Sequence, residues 1–358
     1  MWPFNDSNSI RFIREGLRVK DDDLARVMAG EKTLLFDGAM GTMLQNNGLA
    51  AGELPELLCL QQPDAITSIH RAYVEAGSEV VTTNTFGANA RKLGGAAEVA
   101  DVFDAAVACA RAAGARYIAA DVGPTGALIF PMGDLSFSEA YDLFAEQARA
   151  IEKTDADLVI IETMADVLEM TAAVLAIMDE CTLPVFATMT FTASGRTFLG
   201  TTPGDAALVL AALGVDALGV NCSAGPEDLQ PVVSAMVEVA PCPVIVQANA
   251  GLPEVVDGET RYSLTPEEYV RDVAPMIDAG ASIVGGCCGT NPDYIREVAH
   301  LLDGHAPSPR AIDCARILEQ AREVADAGSR DADILAEVLD AADRAALRQA
   351  LADEYDED

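Results

Sequence analysis

The sequence predicts an α/β protein built as a closed (β/α)8 TIM barrel, and three observations favour this fold class. Short runs rich in Val and Ile recur about every 35 residues, and eight of them can be counted. Helical patterns separate the runs, as parallel strands joined by crossover helices require. No Gly-x-Gly-x-x-Gly segment follows the first run, which weakens the alternative of an open doubly wound sheet.

The eight predicted strands are continuous apolar runs, as expected for strands that are buried on both faces. They are Thr33–Gly38, Glu79–Phe86, Tyr117–Pro124, Asp157–Thr163, Pro184–Phe191, Asp216–Ser223, Pro243–Gly251 and Ser282–Gly289. In a barrel of this kind every strand delivers its carboxyl end to one face, which holds the active site. We therefore expect the functional residues at the carboxyl ends of these runs.

Helix-start signals support the segments between the strands. Ser136 and Glu139 have the spacing of a capping box, in which each side chain satisfies a backbone N–H of the first turn. Thr265 is a candidate N-cap because Pro266 follows it, and Asn291 precedes a proline in the same way. These signals predict helices before the fourth strand, before the eighth strand and after it.

The two ends of the chain differ in pattern from the predicted barrel. We expect an N-terminal helical segment over residues 1–32, the barrel over 33–306 and an acidic helical appendage over 307–358. No barrel strand is left for the appendage to form. It is either a solvated helical cap or a link to, or dock for, another protein.

The composition excludes several classes of function. The formal net charge of −34 argues against nucleic-acid binding, which requires a basic face. No apolar run approaches the roughly 20 residues that span a bilayer, and the first residues lack the apolar core of a secretory signal. We therefore expect a cytoplasmic protein without membrane contact, in which cysteines more often bind metal or react than form disulfides.

Three cysteines stand at the ends of predicted strands. Cys222 ends the sixth run, and Cys287 and Cys288 end the eighth, so one strand separates them in a closed barrel. Three thiolates suit Zn²⁺, and the glycines around the adjacent pair permit an irregular turn that aims both sulfurs inward. Buried free cysteines or a vicinal disulfide remain as alternatives. Structural roles are expected for the other cysteines, which are Cys59, Cys109, Cys181, Cys242 and Cys314.

Acidic residues also end predicted strands. Asp37 and Glu162 either accept hydrogen bonds from caps and loops or bind a positively charged group of a ligand. The segment Asp121–Ile129 ends the third strand with Gly and Pro and forms either a loop over the pocket or a turn at the rim. None of the four lysines lies at the carboxyl end of a strand, which disfavours a lyase that works through a Schiff base.

Five motifs together resemble the homocysteine S-methyltransferase family, in particular the homocysteine-binding modules of its cobalamin-dependent members. They are FDGAMGT (Phe36–Thr42), TNTFGAN (Thr83–Asn89), ETM (Glu162–Met164), GVNCS (Gly219–Ser223) and GGCCGT (Gly285–Thr290). The resemblance runs from about Arg11 to Leu302. It implies a zinc-containing (β/α)8 barrel that activates a thiol for methyl transfer.

The resemblance also implies a role for each matching residue. Cys222, Cys287 and Cys288 would be the catalytic zinc ligands, and Asn249 would occupy the fourth position on the metal before substrate arrives. Asp37 and Glu162 would receive the ammonium group of homocysteine. Backbone N–H groups around Gly38, Gly41 and Thr42 would hold its carboxylate. Asn221 would support the neighbouring cysteine or the amino acid.

The implied reaction forms methionine from homocysteine. Neither a folate nor a corrinoid module is visible in the sequence, so the favoured donor is methylcobalamin on a separate corrinoid protein. Donors of the S-methylmethionine or betaine type are the first alternative. The second is a non-catalytic scaffold that binds zinc and thiol for a methyl-carrying partner.

Overall fold

The computed structural model describes residues 16–49, 52–256, 259–308, 310 and 312–356, with no side-chain detail for 253–261. The first fifteen residues of the predicted N-terminal segment therefore lie outside the described residues. So do Ala50, Ala51 and the pair at 257–258, which belong to connections after the first and seventh predicted strands.

Eight parallel strands form the barrel, which confirms the predicted fold class. In chain order the strands of the structure are β1 (Leu34–Leu35), β2 (Val80–Thr82), β3 (Tyr117–Val122), β4 (Leu158–Met164), β5 (Val185–Met189), β6 (Ala217–Cys222), β7 (Val244–Ala248), β8 (Pro253–Val256), β9 (Glu259–Tyr262) and β10 (Ala281–Gly286). The order around the barrel is β1-β10-β7-β6-β5-β4-β3-β2. One strand, β7, thus separates the ends of β6 and β10, as the sequence predicts.

The seam between β1 and β2 is held by few contacts because both strands are short. The backbone N–H of Glu79 donates to the carbonyl of Leu35 at 2.9 Å. Beyond it, the carboxylate of Asp37 accepts from the backbone N–H of Thr82 at 2.8 Å and from its hydroxyl at 2.9 Å. A side chain therefore takes the place of the next ladder hydrogen bonds and closes the barrel.

Side chains at alternate strand positions fill the interior of the barrel. The inner cluster contains Leu34, Phe36, Val80, Tyr117, Ala119, Leu158, Ile160, Phe186, Ala217, Ile245 and Ile283. Helix α1 (Asp22–Met28) adds three buried side chains, Leu24, Val27 and Met28, to the same cluster. The amino end of the barrel is thereby closed by apolar packing, and the opposite face stays available for a ligand.

Helices cover the outside of the barrel. They are α2 (Met40–Asn46), α3 (Leu58–Gln61), α4 (Pro63–Glu75), α5 (Ala90–Leu93), α6 (Val99–Ala112), α7 (Phe137–Ile151), α8 (Val167–Glu180), α9 (Pro203–Leu213), α10 (Pro226–Val239), α11 (Pro266–Asp278) and α12 (Pro292–Leu302), with a 3-10 turn at Pro55–Leu57. The capping box of Ser136 is confirmed, and Thr265 and Asn291 cap their helices as predicted. Within the described part of the chain, no helix is both long enough and apolar enough to cross a membrane.

An antiparallel hairpin of β8 and β9 follows β7 and was not predicted. The sequence carries a typical hairpin signal, an Asp-Gly pair between two short runs, but these runs do not belong to the recurring barrel pattern. The hairpin brings Tyr262 against Gly289, where an added Cβ would lie 2.2 Å from the tyrosine ring. It therefore packs beside the predicted cysteine pair.

Three helices, α13 (Cys314–Ala325), α14 (Arg330–Asp340) and α15 (Arg344–Tyr355), follow the barrel and pack against α7, α8 and α9. Their inner faces bury Ile317, Ala321, Ile334, Leu335, Val338, Leu347, Leu351 and Tyr355. Arg330 forms two hydrogen bonds with the buried carboxylate of Asp166, at 2.8 and 3.1 Å. The appendage is thus attached to the barrel by both apolar contacts and an ion pair.

Candidate active site

A cavity of about 270 Å³ opens at the carboxyl ends of the barrel strands. Side chains two positions further along a strand point to the same face, so the residues that follow the inner apolar cluster in this way also face inward. Four of them line the cavity: Thr82, Asp121, Glu162 and Gln247. Eight of the predicted site residues also line it: Asp37, Gly38, Gly41, Thr42, Glu162, Cys222, Cys287 and Cys288. Asn221 and Asn249 are not part of the lining and contact residues that are.

The three predicted cysteines converge on one point of this cavity. The sulfurs of Cys222, Cys287 and Cys288 all lie within 4.8 Å of one another. The sulfurs of Cys222 and Cys288 are 3.8 Å apart. A tetrahedral zinc ion with Zn–S bonds of about 2.3 Å requires sulfurs about 3.8 Å apart, which is the spacing of Cys222 and Cys288.

The adjacent cysteines converge because they lie in a turn beyond the end of β10. The strand ends at Gly286, and the backbone N–H of Thr290 donates to the carbonyl of Cys287 at 3.0 Å. Gly289 has a φ of 83°, which favours glycine. Since the side chains of a regular strand alternate between faces, this turn is what directs both sulfurs to the cavity.

The backbone is strained at the carboxyl ends of β4 and β6. Among the described residues other than glycine, positive φ occurs at Thr163 (62°), Cys222 (54°) and Ser223 (64°). Left-handed backbone costs about 1–2 kcal/mol per residue and persists where surrounding contacts impose it. The hydroxyl of Ser223 supplies such a contact, because it accepts from the backbone N–H of Phe191 at 2.7 Å.

Hydrogen bonds among the sulfurs divide the three thiols into donors and an acceptor. Contacts from the Cys222 and Cys287 thiols lower the pKa of Cys288, and the Tyr262 phenol lowers it further. Contacts with the Cys222 and Cys288 sulfurs, followed by burial, raise the pKa of Cys287. The arrangement therefore already stabilises one thiolate, which is the ionisation state that binds a metal.

Asn249 lies next to this cluster. Its side chain is a hydrogen-bond partner of Cys222 and lowers the pKa of that thiol. Its Oδ1 atom is buried and has no partner among the residues that the structure describes. An unpaired amide oxygen beside the sulfurs is compatible with the predicted role as a fourth ligand.

Asn221 joins the end of β6 to the end of β4. Its Oδ1 accepts from the backbone N–H of Thr163 at 2.9 Å and from the Thr188 hydroxyl at 3.0 Å. Its Nδ2 donates to Thr163 Oγ1 at 2.8 Å and to Glu162 Oε2 at 3.3 Å. Asn221 is fully buried, so it fixes the Glu162 side chain and the strained turn before Cys222 at once.

The two predicted ammonium acceptors are held in different ways. Burial raises the pKa of Asp37 to about 7, although hydrogen bonds from Thr82 oppose the shift. Burial, followed by the charges of Cys222 and Asp37, raises the pKa of Glu162 to about 8. Both groups would gain from a cationic partner in the cavity. Asp37 also accepts the backbone N–H of Thr82 in β2, and its role toward an ammonium group stays a prediction.

The segment Gly38–Thr42 leads into the first turn of α2. The N-cap of α2, Ala39, provides no side-chain hydrogen bond to the first turn. The Thr42 hydroxyl accepts from the backbone N–H of Gly289, and a Cβ at Gly38 would lie 2.6 Å from the Thr290 hydroxyl. Glycine at position 38 is therefore required for this segment to approach the cysteine turn.

Sequence reasoning missed three residues with titratable side chains at the site. Asp121 and Glu56 line the cavity, and Tyr262 contacts Cys288. Alternation within β3 was a usable signal for Asp121, because Tyr117, Ala119 and Asp121 share the inward face. Glu56 lies in the 3-10 turn of a connection, and no pattern in the sequence predicted that position.

The sequence model of a family described as homocysteine S-methyltransferase matches residues 34–302 of the chain. The chain belongs to the homocysteine S-methyltransferase family. The matched range contains all eight barrel strands and every residue that lines the cavity.

Two curated relatives are similar to the chain. It is 35% identical over 302 residues to proteins named methionine synthase from Mycobacterium leprae and from Mycobacterium tuberculosis. Each alignment covers 78% of this chain and 25% of the relative. The chain therefore spans about a quarter of the length of these relatives.

The fold is shared with a solved structure. The metallated form of the homocysteine methyltransferase MmuM from Escherichia coli superposes with a TM-score of 0.66 at 21% identity. The match covers 78% of this chain and 99% of the MmuM chain. At this identity the likeness supports the barrel architecture of the homocysteine S-methyltransferase family member described here.

Proposed function

We propose that this chain methylates the sulfur of homocysteine and forms methionine. The observation that carries the proposal is the convergence of Cys222, Cys287 and Cys288 in a cavity that four carboxylates also line. Sulfur ligands suit a metal that activates a thiol, and carboxylates suit the ammonium of an amino acid. The combination matches a small amino-acid thiol as substrate.

The three cysteines would hold a zinc ion, with Asn249 beside them as the ligand that substrate replaces. The sulfur spacing, the easily ionised Cys288 thiol and the unpaired oxygen of Asn249 support this assignment. When bound, zinc supplies Lewis acidity that makes a substrate thiolate available at neutral pH. The reducing cytoplasm, where we place the protein, would keep the three thiols free of disulfides.

The other residues would orient homocysteine against the sulfurs. Asp37 and Glu162 would accept hydrogen bonds from its ammonium, and each carboxylate would gain a cationic partner in a buried setting. Its carboxylate would accept from the backbone N–H groups of Gly41 and Thr42 in the first turn of α2. Asn221 would fix Glu162 in position for this contact.

The transfer itself is a displacement at the methyl carbon. The homocysteine sulfur attacks the methyl group, a carbon–sulfur bond forms, and the bond from methyl to donor breaks with its electron pair leaving on the donor. The thiol proton passes to solvent when the substrate ionises. The protein contributes by placing the sulfur, excluding water and holding the amino-acid end still.

The rim of the cavity favours a macromolecular donor. The large apolar side chains that the described structure exposes are Leu60, Phe86, Leu128, Met132, Phe198 and Leu252. Five of them lie in loops that directly follow a barrel strand, on the face with the cavity, and Leu60 lies in helix α3. We therefore favour methylcobalamin carried by a separate corrinoid protein as donor, with S-methylmethionine or a betaine as the alternative.

We further propose a functional division of the chain at the boundaries expected from the sequence. Residues 33–306 would carry the chemistry, and helix α1, in the described part of segment 1–32, would close the amino end of the barrel. Residues 307–358 would brace α7, α8 and α9, as the Arg330–Asp166 contact supports.

Two measurements test the proposed function. Protein purified without chelator should contain about one zinc per chain, Cys287→Ala should lose it, and Cys314→Ala, in α13, should retain it. Methionine should form from homocysteine with protein-bound methylcobalamin, in an assay that also includes S-methylmethionine and betaine. Homocysteine binding without methionine formation from any donor would favour the scaffold alternative. Zinc retained in Cys287→Ala would contradict the metal site.

A further inference from the structure

Four carboxylates line the cavity, and none of the described residues that line it is Lys, Arg or His. Three of the four accept hydrogen bonds from the protein. Asp37 accepts from Thr82, Glu162 from Asn221, and Glu56 accepts from a backbone N–H at 2.7 Å. Asp121 is the exception.

The Oδ1 atom of Asp121 is buried and has no hydrogen-bond partner among the described residues. The side chain is only 3% exposed, yet it lines the cavity. A buried carboxylate oxygen without a donor is costly unless a ligand supplies one. The side chain is therefore available to a ligand and does not contribute to the fold through hydrogen bonds at Oδ1.

The backbone of Asp121, by contrast, is fixed on both sides. Its N–H donates to the Thr83 hydroxyl at 3.0 Å, and its carbonyl accepts from the Thr85 hydroxyl at 2.8 Å. The two hydroxyls are themselves 2.7 Å apart. The end of β2 thus holds β3 so that the carboxylate stays directed inward, on the same face as Ala119 and Tyr117.

Asp121 lines the same cavity as both predicted ammonium acceptors. Burial, followed by the charges of Glu162, Glu56 and Asp37, raises the pKa of its carboxyl group, and the charge of Lys92 opposes the shift. In the strand register, Asp121 pairs with Ile160, two positions before Glu162. The three carboxylates come from the first, third and fourth strands and surround one side of the cavity.

We propose that Asp121 is a third acceptor for the substrate ammonium, beside Asp37 and Glu162. A primary ammonium carries three N–H donors, so three carboxylates can pair with all of them. The residue would then determine specificity, because it favours a thiol with an α-amino group over the same thiol without one. This inference rests on the proposed function and extends it to a residue that was not predicted.

Binding measurements on the zinc-loaded protein test the inference. L-Homocysteine is compared by calorimetry with 4-sulfanylbutanoate, which lacks the amino group and keeps the thiol and carboxylate. Asp121→Asn should weaken homocysteine binding at least tenfold and change 4-sulfanylbutanoate binding less than twofold, because a neutral amide replaces the charged partner of the ammonium. Glu169→Gln, the control at a buried carboxylate that does not line the cavity, should stay within threefold for both ligands.

Three results would overturn the inference while leaving the proposed function intact. They are an unchanged affinity for homocysteine in Asp121→Asn, an equal loss for both ligands in that variant, and an equal loss in Glu169→Gln. Asp121→Ser serves as a second variant, and either variant counts if its melting temperature and zinc content match those of the parent. A parent protein that binds neither ligand would instead overturn the proposed function, and the inference with it.

Discussion

Asn221 accepts the backbone N–H of Thr163 through its side-chain oxygen at 2.9 Å, and this contact connects two strained turns. Thr163 has a left-handed backbone at the end of β4, and Cys222 has one directly after Asn221. Glu162 and Cys222, which face the same cavity, are therefore positioned by one buried amide. The chemistry of the amino-acid end and the chemistry of the sulfur end depend on the same side chain.

Removal of this amide should loosen both ends of the site. Asn221→Ala leaves the Thr163 N–H and the Thr188 hydroxyl without their acceptor, and we expect a loss of about 2–3 kcal/mol in the free energy of unfolding. Homocysteine affinity should fall as well, because Glu162 loses its donor. Urea unfolding and calorimetry measure the two effects. Asn46→Ala, on the exposed side of α2, is the control and should change stability by less than about 0.5 kcal/mol.

The raised pKa of Glu162 predicts how the metal-free protein responds to pH. The folded state holds this proton up to a pKa of about 8, whereas the usual value is 4.5. Between these values the folded state binds more protons than the unfolded state, so the free energy of unfolding falls as pH rises. The slope from one such group is at most about 1.4 kcal/mol per pH unit.

Glu162→Gln removes this titration. In chelator-treated, reduced protein, the stability of the variant relative to the parent should therefore increase steadily from pH 5 to pH 8. Denaturant unfolding at a series of pH values measures the difference. Parallel curves for the two proteins would show that Glu162 is not protonated in the folded state at neutral pH.

Alternation and motif spacing explain how much of this architecture the sequence could predict. The barrel follows from buried apolar runs, and the sulfur cluster follows because Cys222 and the Cys287–Cys288 pair end strands that flank a single strand. The closure of the β1–β2 seam by Asp37 could not be predicted, since it depends on how far two short strands reach. The hairpin that carries Tyr262 and the position of Glu56 depend in the same way on long connections, whose course is set by tertiary packing.

The ion pair between the appendage and α8 should contribute to the stability of the fold. Arg330 contacts Asp166, which is 3% exposed and also caps α8. Arg330→Ala leaves that carboxylate buried without its partner, and we expect a loss of about 3 kcal/mol in urea unfolding. The matched control is Arg344→Ala, which breaks the pair with Asp179, whose side chain is 22% exposed, and should cost less than about 1 kcal/mol. Equal losses would show that the appendage is held by apolar contacts alone.

The apolar rim gives the sharpest test of the donor. Phe198 is 69% exposed and Leu252 is 58% exposed, and both follow barrel strands on the face with the cavity. If a corrinoid protein docks there, Phe198→Ser and Leu252→Ser should each raise the KM for protein-bound methylcobalamin about tenfold, because a buried apolar anchor is lost.

The same variants should react with free methylcobalamin at the parent rate, since neither residue lines the cavity. Glu31→Ser, on the opposite face just before β1, should leave both reactions unchanged. A rise in KM for the protein-bound donor alone therefore identifies the rim as a docking surface. If the variants match the parent with both the protein-bound and the free donor, the reason to favour a macromolecular donor is removed. S-Methylmethionine or a betaine would then be the donor to pursue.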